Sequence, residues 1–196
     1  MEKGKDTKQL ILDAAVSMTS KIGLEALSIG KLAAETCMSK SGLFAHFNSK
    51  QNLQIAVLKA AEQKFINSVI RPALEKPRGI ERIRAIFDNW LQWTNSNTLP
   101  GGCPFVSMSM ELTSQPGRSQ NYLKSTQTEW LNFLAGAARI AIEEKQFRKD
   151  LDQDQFAYEF FSIFLAYQHA RHLLQDLRAE LRARSALDRL LESVKF

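Results

Sequence analysis

Ser28-Ile-Gly-Lys-Leu-Ala-Ala-Glu-Thr-Cys-Met-Ser39, followed directly by Lys40-Ser-Gly-Leu-Phe-Ala-His-Phe47, is the stretch on which the reading of this chain turns. Two short helices are written into it. The oxygen of Ser28 can accept an N–H of a first helical turn, so it opens a helix carrying Ile29, Leu32 and Ala33 that runs out at Thr36 to Met38. Ser39 offers the same cap to a helix from Lys40 to about Phe47. Leu43 and Phe47 stand one four-residue step apart and turn inward, which leaves Lys40, Ser41, Phe44 and His46 outside. Asn48 and Ser49 break the pattern, and a longer helix follows from Lys50 to about Val69, with Leu53, Ala56, Val57, Ala60 and Phe65 apolar. Upstream, Leu10, Ile11, Ala14, Ala15, Met18 and Ile22 recur at three- and four-residue steps, predicting one buried stripe of a helix that starts near Asp6 or Thr7 and is stopped by Gly23.

Two short helices joined by a tight turn, the second opening with small and basic residues, form a helix-turn-helix arrangement. A reading helix must enter a major groove about 12 Å wide, so Ser39, Ser41, Gly42 and Ala45 let the backbone approach while Lys40 reaches base edges or phosphate. Free N–H groups at the first turns, behind Ser28 and Ser39, favour phosphate. The net charge is +5, and no Asp or Glu occurs from Thr36 to Ala61 whereas Lys40, Lys50 and Lys59 do. On pattern alone two readings stay open: a DNA-reading head, or three capped helices of an ordinary bundle.

The segment Ser28 to Leu53, together with the Ile11-Leu-x-Ala-Ala helix and Gly23 before it, resembles the DNA-binding signature of the tetracycline-repressor (TetR) family of bacterial regulators. The elements Phe44-x-His46-Phe47 and Ser49 to Leu53 are specific to it. Two positions depart from the pattern. Cys37 stands in the turn where the family usually has Gly, and a left-handed non-glycine residue there costs about 1 kcal/mol. Gly30 stands where many relatives carry a polar, DNA-contacting side chain. The resemblance implies an all-α fold with a helix-turn-helix domain over residues 1–50, a connecting helix to about residue 69, and a helical effector-binding and dimerisation domain over 70–196. It implies that Ser28, Ser39, Lys40, Ser41, Gly42, Phe44, His46 and Lys50 meet double-stranded DNA, with Ser39 and Lys50 near phosphates and a dimer preferring an inverted-repeat operator.

Beyond residue 70, breaks at Pro72, Pro77 and Gly79, at Asn95 to Pro104 and at Ser114 to Gly117 separate helical patterns. These are Ile80 to Trp93, Pro104 to Leu112, Tyr122 to about Gln146, Asp152 to Leu177 and Ala179 to Val194. Asp152 with Gln155 is a capping-box variant. Phe87, Trp90, Phe105, Met108, Trp130, Phe133, Phe156, Phe160 and Phe164 lie at helical spacing, with Ser107, Ser109, Glu111 and Tyr167 among them. That mixture suits either a core or a small-molecule pocket with apolar walls and a few polar groups. Family likeness, also seen at Gly101 to Val106, Phe147 to Asp152 and Ala170 to Leu174, implies an effector of unknown identity held by Phe87, Trp90, Phe105, Met108, Ser109, Trp130, Phe133, Phe160, Phe164 and Tyr167. A homodimer is expected on the last two helices, whose seams run through Ile163, Tyr167, Ala170, Leu174 and Leu177 and through Ala183, Leu187, Leu190 and Val194.

Apolar residues make up 44% and charged residues 24% of the 196 positions, which sets aside disordered and fibrous classes. No apolar segment is long enough to span a membrane, and the charged start lacks a secretory signal, so a cytoplasmic protein without membrane contact is expected. Cys37 and Cys103 form no Cys-x-x-Cys pair, His169 and His172 lack a third ligand nearby, and no catalytic triad, phosphate loop or carboxylate pair is present. No cofactor, no metal and no enzymatic activity are therefore expected. The expected function is a one-component transcriptional regulator, a repressor released from its operator by a small-molecule effector. The alternative is an all-helical small-molecule carrier or enzyme that does not bind DNA.

Overall fold

The computed structural model describes residues 2–195, with side chains from residue 7. Its α-helices are α1 (Glu2–Ile22), α2 (Ile29–Glu35), α3 (Lys40–Phe47), α4 (Lys50–Phe65), α5 (Arg71–Leu74), α6 (Ile80–Thr94), α7 (Pro104–Leu112), α8 (Arg118–Glu143), α9 (Gln153–Gln168) and α10 (Ala179–Ser193). Wider π-helical turns follow α4 at Ile66–Ile70 and α9 at His169–Leu173. Among the described residues there is no strand, so the all-α expectation holds. By internal packing the chain forms two units: the chain through Phe65 with Thr94–Ser125, and Ile66–Trp93 with residues from Thr126 onward.

In the first unit α1 packs on α4, α2 and α7, while α3 packs on α2 and α4. The buried face of α1 is rotated from the predicted stripe. Ile11, Ala15, Val16, Thr19 and Ser20 are buried, whereas Leu10 is 70% and Ile22 39% exposed. Two buried hydroxyls explain the shift: Thr19 Oγ1 donates to the Ala15 carbonyl at 2.8 Å and Ser20 Oγ to the Ser17 carbonyl at 2.8 Å, so polar residues satisfied by their own helix take inward positions. Lys64 on α4 pairs with Asp13 on α1 at 3.0 Å.

The turn between α2 and α3 is closed as the sequence implies. Ser28 Oγ accepts the Lys31 N–H at 3.2 Å and Ser39 Oγ accepts the Gly42 N–H at 3.0 Å. Between them Cys37 adopts φ 53, and Met38 N–H returns to the Ala33 carbonyl at 2.9 Å. Leu32, Leu43 and Leu53 are fully buried and Phe47 nearly so.

The second unit is built around aromatic rings. Trp90 on α6 stacks on Phe164 of α9 with centroids 3.9 Å apart and planes 3° from parallel. Phe87, Phe160 and Phe156 continue the cluster towards Phe147. Asp152 caps α9 by accepting the N–H groups of Asp154 and Gln155, both at 3.0 Å. The reciprocal half of the predicted box is not made, because the Gln155 side chain donates to Glu159 at 2.7 Å. α9 also ends earlier than expected: after the π-helical turn, Gln175 enters the left-handed region at φ 53 and Asp176 accepts the Arg178 N–H at 2.9 Å ahead of α10. α6 and α10 exchange two ion pairs, Arg84–Asp188 and Arg184–Asp88, each at 2.6 Å.

The left-handed Cys37 gives a direct stability test. Its side chain is exposed, so Cys37→Gly removes the steric penalty without opening a cavity and is expected to raise unfolding stability by up to about 1 kcal/mol. Cys37→Val, with a branched Cβ at the same φ, is expected to lower it; urea unfolding of both variants checks the sign.

Candidate nucleic-acid interface

Leu43 and Phe47 anchor α3, and the opposite side of the helix is thereby presented outward. Lys40, Ser41, Phe44 and Ala45 are exposed, and Gly42 and His46 are half-buried. Phe44 is 52% exposed, unusual for a large apolar ring and suited to contact with sugar or a thymine methyl. Ser39 Oγ lies 3.2 Å from Ser41 Oγ and is already committed to the Gly42 N–H, so Ser39 serves first as a cap. Ser28 has the same structural duty on α2.

Lys40 and Gly30 form one feature. A Cβ placed on Gly30 would lie 3.5 Å from Lys40 Cε and 3.9 Å from its Nζ. The end of the Lys40 side chain thus lies beside Gly30 of α2, at a distance where a Cβ would make ordinary contact. Lys31, on the first turn of α2, was not singled out from the sequence. It is exposed, and among the described residues neither Lys31 nor Lys40 has a carboxylate within ion-pair distance.

Lys50 is placed differently. Its ammonium is 3.1 Å from the Glu25 carboxylate and donates to the Glu25 carbonyl at 2.8 Å. Gln54 donates to the other Glu25 oxygen at 2.6 Å. Partial burial works against the Glu25 anion, but the hydrogen bonds from Lys50 and Gln54, with the charge of Lys50, outweigh it and hold the carboxyl below its usual pKa. Glu25 lies outside the helix-turn-helix pattern, and a loop carboxylate gives no periodic signal by which to find it.

The residues expected to hold an effector divide between the two units. Phe87, Trp90, Trp130, Phe133, Phe160, Phe164 and Tyr167 belong to the second unit and touch one another: besides the Trp90–Phe164 stack, Trp130 lies over Phe133 at 5.7 Å and Trp90 meets Tyr167 edge-on at 5.6 Å. Phe105, Met108 and Ser109 belong to α7 in the first unit, where Phe105 meets Phe65 edge-on at 5.9 Å. Glu111, read from the sequence as a polar group among these, instead accepts the backbone N–H groups of Leu24 and Glu25.

The seam residues also separate. Leu187, Leu190 and Val194 are 3%, 7% and 4% exposed within the protomer, packed into its own core as α10 lies on α9. Leu174 and Leu177 are 63% and 92% exposed. Ile163 and Ala170, with Ala166, Tyr167, Ala179, Ala183 and Ala186, line an open groove of about 400 Å³ along α9 and α10, to which Ser162, Arg182 and Arg189 add polar lining. His172, three residues from His169, has a buried Nε2 without a hydrogen-bond partner, and burial, then the charge of Arg171, pushes its pKa down. Among the described residues no group of three His, Cys, Asp or Glu side chains is placed to hold a metal ion, and no helix is long and apolar enough to cross a membrane.

Comparison with known proteins places these features in a family. Residues 11–57 match the bacterial regulatory proteins of the tetR family, and residues 79–187 match the tetracyclin repressor-like C-terminal domain. No curated protein sequence matches the chain significantly. A TetR transcriptional regulator from Chloroflexus aurantiacus is 21% identical, with 98% of this chain and 96% of that one covered and a TM-score of 0.81. A putative transcriptional regulator from Saccharomonospora viridis, solved in complex with choline, is 16% identical over 98% and 99% of the two chains at a TM-score of 0.82. AibR, solved in complex with isovaleryl coenzyme A and operator DNA, is 20% identical over 95% and 98% at a TM-score of 0.70. With the helix-turn-helix of α2 and α3 and an all-helical remainder, this chain belongs to the TetR family of transcriptional regulators.

Proposed function

We propose that the protein is a one-component repressor that binds an inverted-repeat operator as a homodimer and is released by a small-molecule effector. The observation that carries this reading is the outward face of α3, where Lys40, Ser41, Phe44 and Ala45 are exposed on a helix anchored by Leu43 and Phe47. Residues 1–50 form the reading head, the helix to about residue 69 connects, and residues 70–196 carry effector binding and dimerisation. Similar folds solved with choline, or with isovaleryl coenzyme A and operator DNA, support an effector in the helical domain. The aromatic cluster around Trp90, Trp130 and Phe164 favours an apolar group there. Effector and operator must then oppose each other by the same factor, whichever is added first.

Selection of duplexes from genomic fragments tests the DNA reading, and Lys40→Ala sharpens it. Loss of a bidentate base contact is expected to cost about 1 to 3 kcal/mol and to change the preferred base at one position. Equal losses on every duplex would remove Lys40 from base readout. Lys50→Ala is expected to weaken all duplexes alike while altering the salt slope by less than the roughly one unit of a full phosphate contact, because its charge is shared with Glu25. Affinities at several salt concentrations separate the two roles.

For the dimer we propose the outer face of α9 and α10, which carries the groove lined by Ile163 and Ala170, together with Leu174 and Leu177, exposed in the segment that joins the two helices. Leu187, Leu190 and Val194 support that face from beneath by fixing α10 on α9. Leu177→Glu is expected to give folded monomers by sedimentation. Leu187→Glu buries an unpaired charge inside the protomer and is expected to lose about 3 kcal/mol or more of folding stability. A Leu177→Glu protein that sediments as the wild type does at micromolar concentration would defeat the assignment of this face.

A further inference from the structure

The segment between α1 and α2 is held from outside the reading head. Glu111, in the last turn of α7, accepts the Leu24 N–H at 2.7 Å through one oxygen and the Glu25 N–H at 2.9 Å through the other. These amides follow Gly23, the left-handed residue at φ +77 that stops α1. A Cβ on Gly23 would come within 2.7 Å of a Glu111 oxygen, so the position needs both the glycine backbone and the space. A second hold lies just upstream. The Gly101 N–H donates to Ser20 Oγ at 3.2 Å, and a Cβ on Gly101 would fall 1.8 Å from the Ser20 carbonyl oxygen, so the two backbones run in direct contact.

The same loop is tied on its other side. The Glu25 carboxylate takes Lys50 and Gln54 from α4, and Gln54, itself buried, accepts the hydroxyl of Ser119 on α8 at 3.3 Å. Ser28, the cap of α2, comes three residues after Glu25. Two charge-assisted bonds from α7 therefore end on the loop that sets where the helix-turn-helix begins. On the same α7 stand Phe105, Met108 and Ser109.

We propose that Glu111 is a positioning residue for DNA reading: its clasp on the Leu24 and Glu25 amides fixes the entry of α2 and α3, and passes displacement of α7 to the reading head. A shift of α7 either carries the loop with it or leaves two amides and a carboxylate unpaired. Glu111 touches no DNA. It acts through the backbone that α2 grows from. The inference rests on the proposed DNA reading, and it adds a residue outside residues 1–50 that holds the entry of the head.

The test uses the full chain as wild type, Glu111→Ala and Glu111→Gln, with a duplex that the wild type selects from genomic fragments. Expected is an affinity for that duplex about tenfold or more weaker in Glu111→Ala, with Glu111→Gln between it and the wild type because one acceptor oxygen remains. The preferred sequence and the salt slope are expected to stay unchanged, since no phosphate contact is lost. Hydrogen exchange is expected to rise at the Leu24 and Glu25 amides while the cores of both units keep their protection. Binding by Glu111→Ala within twofold of the wild type overturns the inference, and so does a loss of affinity matched by loss of protection throughout the protein, which is unfolding. A wild type that selects no duplex instead overturns the DNA reading, and the inference with it.

Discussion

Burial of Leu43 and Phe47 beneath α3 is the constraint on which the head depends. A helix of eight residues has little stability by itself, and among residues four apart on one face only these two are large and apolar inside it. Fixing them fixes rotation about the helix axis. Everything outward follows from that rotation, including an exposed phenylalanine that a protein with no partner on this face would have reason to lose. The serine caps then set where each helix begins, so rotation and starting point are determined by separate residues.

The caps were legible because capping is a local matter: a hydroxyl and an N–H three residues on need no tertiary partner. Ser28 and Ser39 do what their spacing implies, and the Asp152 carboxylate makes its own half of the box. The left-handed turn at Cys37 was legible for a similar reason, through the glycine that the family pattern carries there. Less could be read wherever two faces of a helix compete. In α1 the buried side is chosen by α4 and α7, and the helix accommodates Thr19 and Ser20 by bonding their hydroxyls internally. A sequence shows the apolar positions of both faces and does not rank them.

The seam read through Ile163, Tyr167, Ala170, Leu174 and Leu177 crosses a change of helix type. The π-helical turn at His169–Leu173 takes up one residue more than an α-turn, so a count of threes and fours carried through it loses step. Leu187, Leu190 and Val194 do form one stripe, but it is consumed by the protomer's own core, a choice that periodicity cannot make. The ion pairs between α6 and α10 are partly exposed at both ends, so screening leaves them more use in setting the offset of the two helices than in holding them together. Glu111 was visible in the sequence as a polar residue in an apolar stretch, and its partners were not, since backbone amides 86 and 87 positions away leave no mark on composition.

The placing of Lys40 beside Gly30 bears on how such a head changes over evolutionary time. Two positions on different helices lie in contact, so neither varies independently of the other. A Cβ acquired at 30 would rest in ordinary contact with the end of the Lys40 side chain, so what stands at one position bounds the space open to the other. Replacements at two positions that touch are expected to be non-additive, so the pair changes as a unit rather than as two independent sites.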